Sequence, residues 1–326
     1  MSNLLTVLTV QDGKITRASL EVLSRCNELA EQHQLPSCAL VITDDSSGIA
    51  DQLSDSGVDT LYTIEHPLFR NPLNAPLITA LSEVTEEIHP RMVAFASSES
   101  TKDVLGAIAA RKQAAALSDL SEFELTENGV KGKRPVMASK IYSVAEASGS
   151  PVFISVLSGS YERIEKKGTP VVKPISFNYS TDKVGTVLRE IVHSDPGRTD
   201  LSEAEVIVAA GRGVKDEAGR QLIEELATVL NASIGTSRAL TESGAYEPGL
   251  QIGQTGKVVS PFLYIGVGIS GAIQHVSGMA NSRMIVAINN DPDAPIFRIA
   301  DYGLVGDLYQ ILPPLIDELK KFKVGE

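Results

Sequence analysis

No tryptophan occurs in this 326-residue chain, aromatic residues make up only 5% of it, and there are two cysteines. Cys26 and Cys38 stand in apolar segments without metal-ligand spacing, which excludes a disulfide framework and reads as buried thiols of a reducing compartment. The five histidines are scattered and neither cysteine lies in the second half of the chain, so no metal cluster is expected there. Positive charge is also scarce: 29 Lys and Arg against 41 Asp and Glu give a formal net charge of −12, with no basic cluster. Nucleic acids and anionic membranes both need a positive footprint, so neither is an expected partner. No run of 18 apolar residues occurs, and the first ten residues lack the basic flank and apolar length of a signal peptide and the Arg-rich look of a transit peptide. A cytoplasmic protein is expected.

What is present is an ordinary globular balance, 43% hydrophobic and 21% charged, in a chain long enough for two α/β domains with real cores. The first half alternates strand and helix. A strand is expected at 4–10, a helix with Ser19, Leu20, Leu23, Cys26, Leu29 and Ala30 on one face, and a strand at 39–42. Further apolar runs at 60–64, 92–96, 137–144 and 152–157 predict a Rossmann-like α/β domain with a parallel core, finished by antiparallel strands near 131–177. The alanine-rich stretch 107–116 predicts a helix. The polar, turn-rich segment 193–200 is the natural break. The expected organisation is an N-terminal domain over 1–192 without a cofactor of its own, a linker or hinge at 193–203, and a doubly wound parallel-sheet domain over 204–326.

Fifteen of the 26 glycines follow residue 200, many at strand ends, so the chemistry is expected there. A strand at 206–210, the turn Gly211-Arg212-Gly213 and a helix at 216–230 open this half. The apolar run 262–267 then leads into Gly266-Val267-Gly268-Ile269-Ser270-Gly271, and a helix is expected to follow. Without a Cβ, Gly266 and Gly268 can take positive φ and admit a ligand close to the backbone, while Gly271 lets the helix pack on the strand. Free N–H groups from about Ser270 to Ile273, at the positive end of the helix dipole, suit a pyrophosphate. An acid holding a ribose hydroxyl belongs at the end of the next strand. Here that strand, 284–289, ends in Asn289-Asn290-Asp291, which leaves the nature of the dinucleotide open.

In an open parallel sheet the ligand lies beyond the carboxyl ends of the strands. The loops there bring Arg212, Ser237, Arg238, Ser270, Gln274, His275 and Asn289 into one region. The loop 252–257 imitates a P-loop but has Gln251 where a glycine is needed and Val258 in place of Ser or Thr. No nucleophile–base–orienter triad is present, because Ser270 and His275 stand five apart. Donors and positive charge around a nucleotide suit redox electrostatics better than acid–base turnover. Each residue also has an ordinary structural reading: Arg212 at a surface, Ser237 as an N-cap, His275 on a polar helix face, Asp307 against a helix dipole, and Asp291-Pro292-Asp293 as a turn.

The segment 261–275, with Ile285-Val-Ala-Ile-Asn289, Asp291-Pro-Asp-Ala-Pro-Ile-Phe297 and Ala300-Asp-Tyr-Gly303, closely resembles the electron transfer flavoprotein alpha subunit, most densely over 205–320. The resemblance implies a heterodimer with a beta subunit, one FAD held mainly by this chain's C-terminal domain, and AMP in the beta subunit. Carried over residue by residue, it implies FAD contacts at Arg212, Ser237, Arg238, Ile252, Gly253, Gln254, Thr255, Ser270, Gly271, Ala272, Ile273, Gln274, His275, Asn289, Asp307 and Leu308. The glycine turn would face the phosphates and ribityl chain, and Asn289, Asp307 and Leu308 the adenosine end. Arg238, with donors from Thr255 and His275, would raise the first reduction potential of the flavin. The implied role is an electron carrier without substrate turnover of its own, from acyl-CoA and related dehydrogenases to a membrane quinone oxidoreductase. An NAD-dependent oxidoreductase, an electron-bifurcating relative with a second flavin in its beta subunit, and a flavin-free scaffold subunit stay open.

Overall fold

The structure is a computed structural model that describes residues 3–70, 73–137, 141–179 and 200–323. Residues 3–136 and 141–179 form one compact unit, and 200–323 form a second. Of the expected linker, 193–199 lies outside the described residues. Its last part belongs to the second unit, since Leu201 and Ala204 are 3% and 5% exposed within that unit's core.

In the first unit the strands are β1 (Leu4–Leu8), β2 (Ser37–Thr43), β3 (Thr60–Glu65), β4 (Met92–Ala96), β5 (Ala115–Leu120), β6 (Glu122–Thr126), β7 (Gly129–Val136), β8 (Ile141–Ser148), β9 (Val152–Val156) and β10 (Val171–Pro174). Seven of them form a parallel sheet ordered β10-β3-β2-β1-β4-β9-β5, while β8-β7-β6 form an antiparallel sheet. The helices α1 (Arg17–His33), α2 (Asn74–Ile88) and α3 (Glu99–Lys112) cover both faces of the parallel sheet. Leu4, Met92 and Ala94 pack with Val22, Cys26 and Leu29 of α1. Leu5, Val93 and Phe95 turn the other way, onto Leu81 and Val84 of α2 and Val104 and Ile108 of α3. Burial on both faces is why these strands read as unbroken apolar runs. Burial also pushes the thiols of Cys26 and Cys38 up to about 12 and about 11.

Three local expectations need correction. The stretch 4–10 ends as a strand at Leu8, because Val10–Gln11 and Lys14–Ile15 fold into a small hairpin of their own. The run 137–144 is not one strand: β7 stops at Val136, Met137 lies in a turn at φ 53°, and β8 starts at Ile141. The antiparallel strands therefore span 122–148, and β9 and β10 join the parallel sheet instead. The alanine-rich helix spans 99–112, with the Ser98 side chain accepting from the Thr101 N–H at its start and Gln113 in the left-handed region at its end. Ala115 and Ala116 are strand residues beside Val152 and Phe153, so sheet pairing overrides alanine's helix propensity.

The second unit is a five-stranded parallel sheet of β11 (Val206–Ala210), β12 (Ser233–Thr236), β13 (Leu263–Val267), β14 (Met284–Asn289) and β15 (Tyr302–Val305), ordered β12-β11-β13-β14-β15. Side chains alternate along the strands. Val208, Ala210, Ile265, Val267 and Ile288 meet Ile223 and Leu226 of α4 (Glu217–Leu230) and Leu312 and Ile316 of α5 (Leu308–Lys323). Ile207, Ala209, Tyr264, Ile285 and Ala287 face Ile252, Met279 and Ile296, which come from loops and short turns rather than long helices. The chain order reverses between β11 and β13, the switch point where the loops after the strands part into a crevice.

Candidate functional site

At the carboxyl ends of these strands lies a cavity of about 700 Å³, within the usual range for a small-molecule site. Its walls come from the loops after β11, β12, β13, β14 and β15 and from the loop 251–255. Of the sixteen residues expected at the site, fourteen line this cavity; Gly271 and Ile273 do not. Arg212, Ser237, Arg238, Ile252, Gly253, Gln254, Thr255, Ser270, Ala272, Gln274, His275, Asn289, Asp307 and Leu308 are thus brought together.

The loops interlock through their backbones. Gly211 N–H donates to Val267 O at 2.8 Å and Gly213 N–H to Gly268 O at 3.1 Å. Gly268 has φ +65°, and a Cβ there would stand 2.8 Å from Gly213 Cα. Gly271 is also left-handed at φ +80°, but its Cβ would meet Ile296 N at 2.3 Å. It therefore packs against the 295–298 turn, not between a helix and the strand, and lies behind the cavity wall. Gly266 is not in the left-handed region at all, since it remains within β13. The helix expected after the glycines is a single turn, Ile273–Val276, so the long dipole of a dinucleotide-binding helix is not present.

What replaces that helix is a run of unbonded amides. The backbone N–H groups of Ser270, Gly271, Ala272, Ile273 and Gln274 have no hydrogen-bond acceptor among the described residues. Of these, Ser270, Ala272 and Gln274 belong to residues that line the cavity, where free amides suit an anion. Arg212 and Lys215, both exposed at the cavity, have no ion pair among the described residues. The Ser237 hydroxyl is buried without a partner among the described residues and does not cap the short helix Arg238–Glu242 that follows it. These unmatched donors fit a phosphate-bearing, hydrogen-bonding cofactor such as FAD.

Other site residues are already engaged. Asn289 Nδ2 donates to Ile269 O at 2.7 Å and its Oδ1 accepts from Asp291 N–H at 3.0 Å, so this side chain ties the glycine turn to the turn after β14. Asp293 N–H returns to Asp291 Oδ1 at 3.0 Å, which makes 291–293 the expected turn. Asp307 Oδ1 accepts from Tyr309 N–H at 3.1 Å at the start of α5. Tyr309 Oη in turn donates to Asp216 Oδ1 at 2.7 Å, joining the beginnings of α5 and α4. Thr255 Oγ1 accepts from Gln251 Nε2 at 2.9 Å, and Gln251 Oε1 from Thr241 Oγ1 at 2.9 Å. Arg238 Nε is paired with Glu242 Oε1 at 2.7 Å, both side chains being exposed. The loop 252–257 is no P-loop, since Lys257 Nζ binds Asp200 at 3.0 Å.

His275 is 7% exposed, with Nε2 at 2.7 Å from Tyr264 Oη and Nδ1 unpartnered. It is neither an idle polar-face residue nor a charged one. Burial pushes its imidazole down to about 4, while the Ile252 backbone acts weakly in the opposite sense. Between the ordinary histidine value of about 6.5 and about 4, the unfolded chain binds a proton that the folded chain refuses. Stability is therefore expected to fall as pH drops through that window, by roughly 3 kcal/mol in all. Urea unfolding of the wild type and of His275→Gln at pH 7, 5.5 and 4.5 measures it; equal slopes in the two proteins would show that His275 is not the source.

Residues missed from the sequence include Lys215, Gln251, Asn290 and Tyr309 at the cavity and Tyr264 beneath it. Lys215 and Asn290 carried a signal in lying just past strand ends. Among the described residues no group of His, Cys, Asp or Glu could hold a metal ion, and no helix is long and apolar enough to cross a membrane.

Residues 4–180 match the electron transfer flavoprotein domain, and residues 200–280 match the electron transfer flavoprotein FAD-binding domain. The chain is similar to an electron transfer flavoprotein subunit alpha of Bacillus subtilis, 36% identical over 315 residues covering 97% of this chain and 96% of that one. It is 34% identical to one of Mycobacterium leprae, over 99% of this chain and 100% of the relative. A probable mitochondrial electron transfer flavoprotein subunit alpha of Saccharomyces cerevisiae is 33% identical over 99% of this chain and 93% of its own. The chain belongs to the electron transfer flavoprotein alpha-subunit family, carries an FAD-binding domain in its second unit, and has an electron-transfer role.

Proposed function

We propose that this chain holds one FAD in the cavity of its second unit, in a heterodimer with an AMP-binding beta subunit. The complex would take single electrons from flavoprotein dehydrogenases, such as those acting on acyl-CoA, and pass them to a membrane quinone oxidoreductase. It would be a carrier without substrate turnover of its own. The observation carrying this reading is the set of unmatched donors at the cavity among the described residues: the free amides of Ser270, Ala272 and Gln274, the orphaned Ser237 hydroxyl and the unpaired Arg212 and Lys215. When bound, FAD supplies a ring that accepts and returns electrons one at a time. The amides and Arg212 would hold its phosphates, with Asn289, Asp307 and Leu308 toward the adenosine end and Ser237, Arg238, Thr255 and His275 toward the flavin end.

A partner chain is favoured by the edge strand β8, where Ile141, Tyr142 and Val144 are 53%, 53% and 60% exposed. An open apolar edge is a natural template for pairing. An NAD site is disfavoured because the strand end where a ribose-binding acid belongs carries an asparagine, Asn289. Co-expression with the adjacent beta subunit should give a yellow complex with one FAD per heterodimer. A colourless complex that takes up no added FAD would overturn the reading, and a second flavin in place of AMP would move it to the bifurcating type. Arg212→Glu is expected to weaken FAD binding by roughly 10- to 100-fold, the loss of one charge-assisted contact. Equilibrium dialysis against free FAD measures this; unchanged affinity would remove Arg212 from the phosphate site.

A further inference from the structure

We propose that Tyr264 is a positioning residue for the cofactor site: its hydroxyl donates to His275 Nε2, fixes the ring proton on Nδ1, and so turns Nδ1–H toward the Ile252 backbone in the cavity wall. This rests on the reading of the cavity as an FAD site.

Tyr264 is completely buried in β13, and its hydroxyl has one hydrogen-bond partner among the described residues, His275 Nε2 at 2.7 Å. Burial holds the phenol well above its ordinary range, so the hydroxyl keeps its proton. A neutral imidazole has one N–H and one acceptor nitrogen, and the bond made by one nitrogen decides which carries the proton. If Nε2–H donated to the phenol oxygen, the hydroxyl proton would be left buried without an acceptor, which is the costly arrangement. With the phenol as donor, both groups in the contact are satisfied. The proton of the ring then sits on Nδ1, a solvent-inaccessible atom whose nearby weak acceptor is the Ile252 backbone, in a side chain that lines the cavity.

The first glycine of the motif serves this pair. Gly266 is two residues from Tyr264 on the same strand, and a Cβ there would come within 3.1 Å of the Tyr264 ring and 3.8 Å of its oxygen. The small residue leaves the ring its place over the strand, where its hydroxyl can reach the one-turn helix that carries His275. Within the Gly-x-Gly-x-x-Gly sequence, Gly268 thus serves the meeting of the loops and Gly266 serves the Tyr264–His275 contact.

The test is histidine 15N NMR of the intact heterodimer with added FAD, the His275 signals being assigned by their loss in His275→Gln. The wild type should show Nδ1 protonated and Nε2 as a hydrogen-bonded acceptor; an Nε2–H tautomer or a doubly protonated ring at pH 7 would overturn the proposal without any variant. In Tyr264→Phe, which keeps the ring and removes only the oxygen, the proton should shift partly or wholly to Nε2, with FAD affinity falling roughly three- to tenfold. Gly266→Ala should move the signals in the same sense to a smaller extent. If Tyr264→Phe left both nitrogen signals unchanged, the hydroxyl would not set the tautomer. Signals that shift while FAD affinity stays at the wild-type value would sink its role toward the cofactor. A complex that binds no FAD would fail the site reading instead, while its nitrogen signals would still report the tautomer.

Discussion

Gly268→Ala is expected to destabilise the second unit by about 2–5 kcal/mol and to strip it of FAD. Two physical costs add. Gly268 has φ +65°, a conformation that costs a residue with a Cβ about 1–2 kcal/mol. The new methyl would also stand 2.8 Å from Gly213 Cα and 3.1 Å from Gly213 N, and both are backbone atoms that cannot rotate aside. Forcing such a contact apart costs typically about 1–3 kcal/mol. The loops after β11 and β13 must then separate, breaking the Gly213 N–H to Gly268 O bond and displacing the free amides at 270–274. Against a domain stability of about 5–15 kcal/mol the loss is large. Gly249→Ala is the control, because a Cβ there meets nothing within 4 Å. Urea unfolding and the flavin content of the purified heterodimer measure both effects. A Gly268→Ala protein with the midpoint and flavin content of the control would show that the close approach of the two loops is dispensable.

Much of this site was legible in the sequence because the parallel-sheet rule needs only the ends of strands. The buried runs that became β11, β13 and β14 are unbroken, their ends are marked by glycine or asparagine, and the loops after them meet at the cavity. The roles of individual glycines were not legible. Gly266, Gly268 and Gly271 have the spacing of a dinucleotide turn, yet they serve a tyrosine ring, a neighbouring loop and the turn at Ile296 respectively. Nothing in the local sequence says which neighbour will approach. The missing helix has a cause that propensity underweights: Gly271 is left-handed, and a Cβ at Gly278 would come within 2.4 Å of the Gly253 backbone, so this segment runs tight against the 251–257 loop. The Tyr264–His275 bond joins residues 11 apart. It depends on the whole path of the turn between them, which no pattern of residue types encodes.

Removing the charge of Arg238 should lower the potential for uptake of the first electron by roughly 50–100 mV, which is about 1–2 kcal/mol at 59 mV per tenfold change. The site has few other sources of positive charge near that end of the cavity. His275 is uncharged at neutral pH because burial opposes its protonation, and Arg212 is assigned to the phosphates. Arg238 is held by Glu242 at 2.7 Å, but that pair is 65% and 61% exposed. Exposed pairs of this kind contribute about 0–1 kcal/mol, so the guanidinium can exchange its carboxylate for a bound cofactor at little cost. The flanking Thr241–Gln251–Thr255 chain does not depend on the guanidinium, so the surrounding loops should survive the substitution. Arg238→Lys should recover most of the lost potential, since the charge remains, whereas a role in hydrogen-bond geometry would leave Lys close to Ala. Glu242→Gln should raise the potential slightly by removing a competing negative charge. A reductive titration of the four proteins distinguishes these outcomes: if Arg238→Ala keeps the wild-type potential, Arg238 does not supply the positive charge that tunes the flavin.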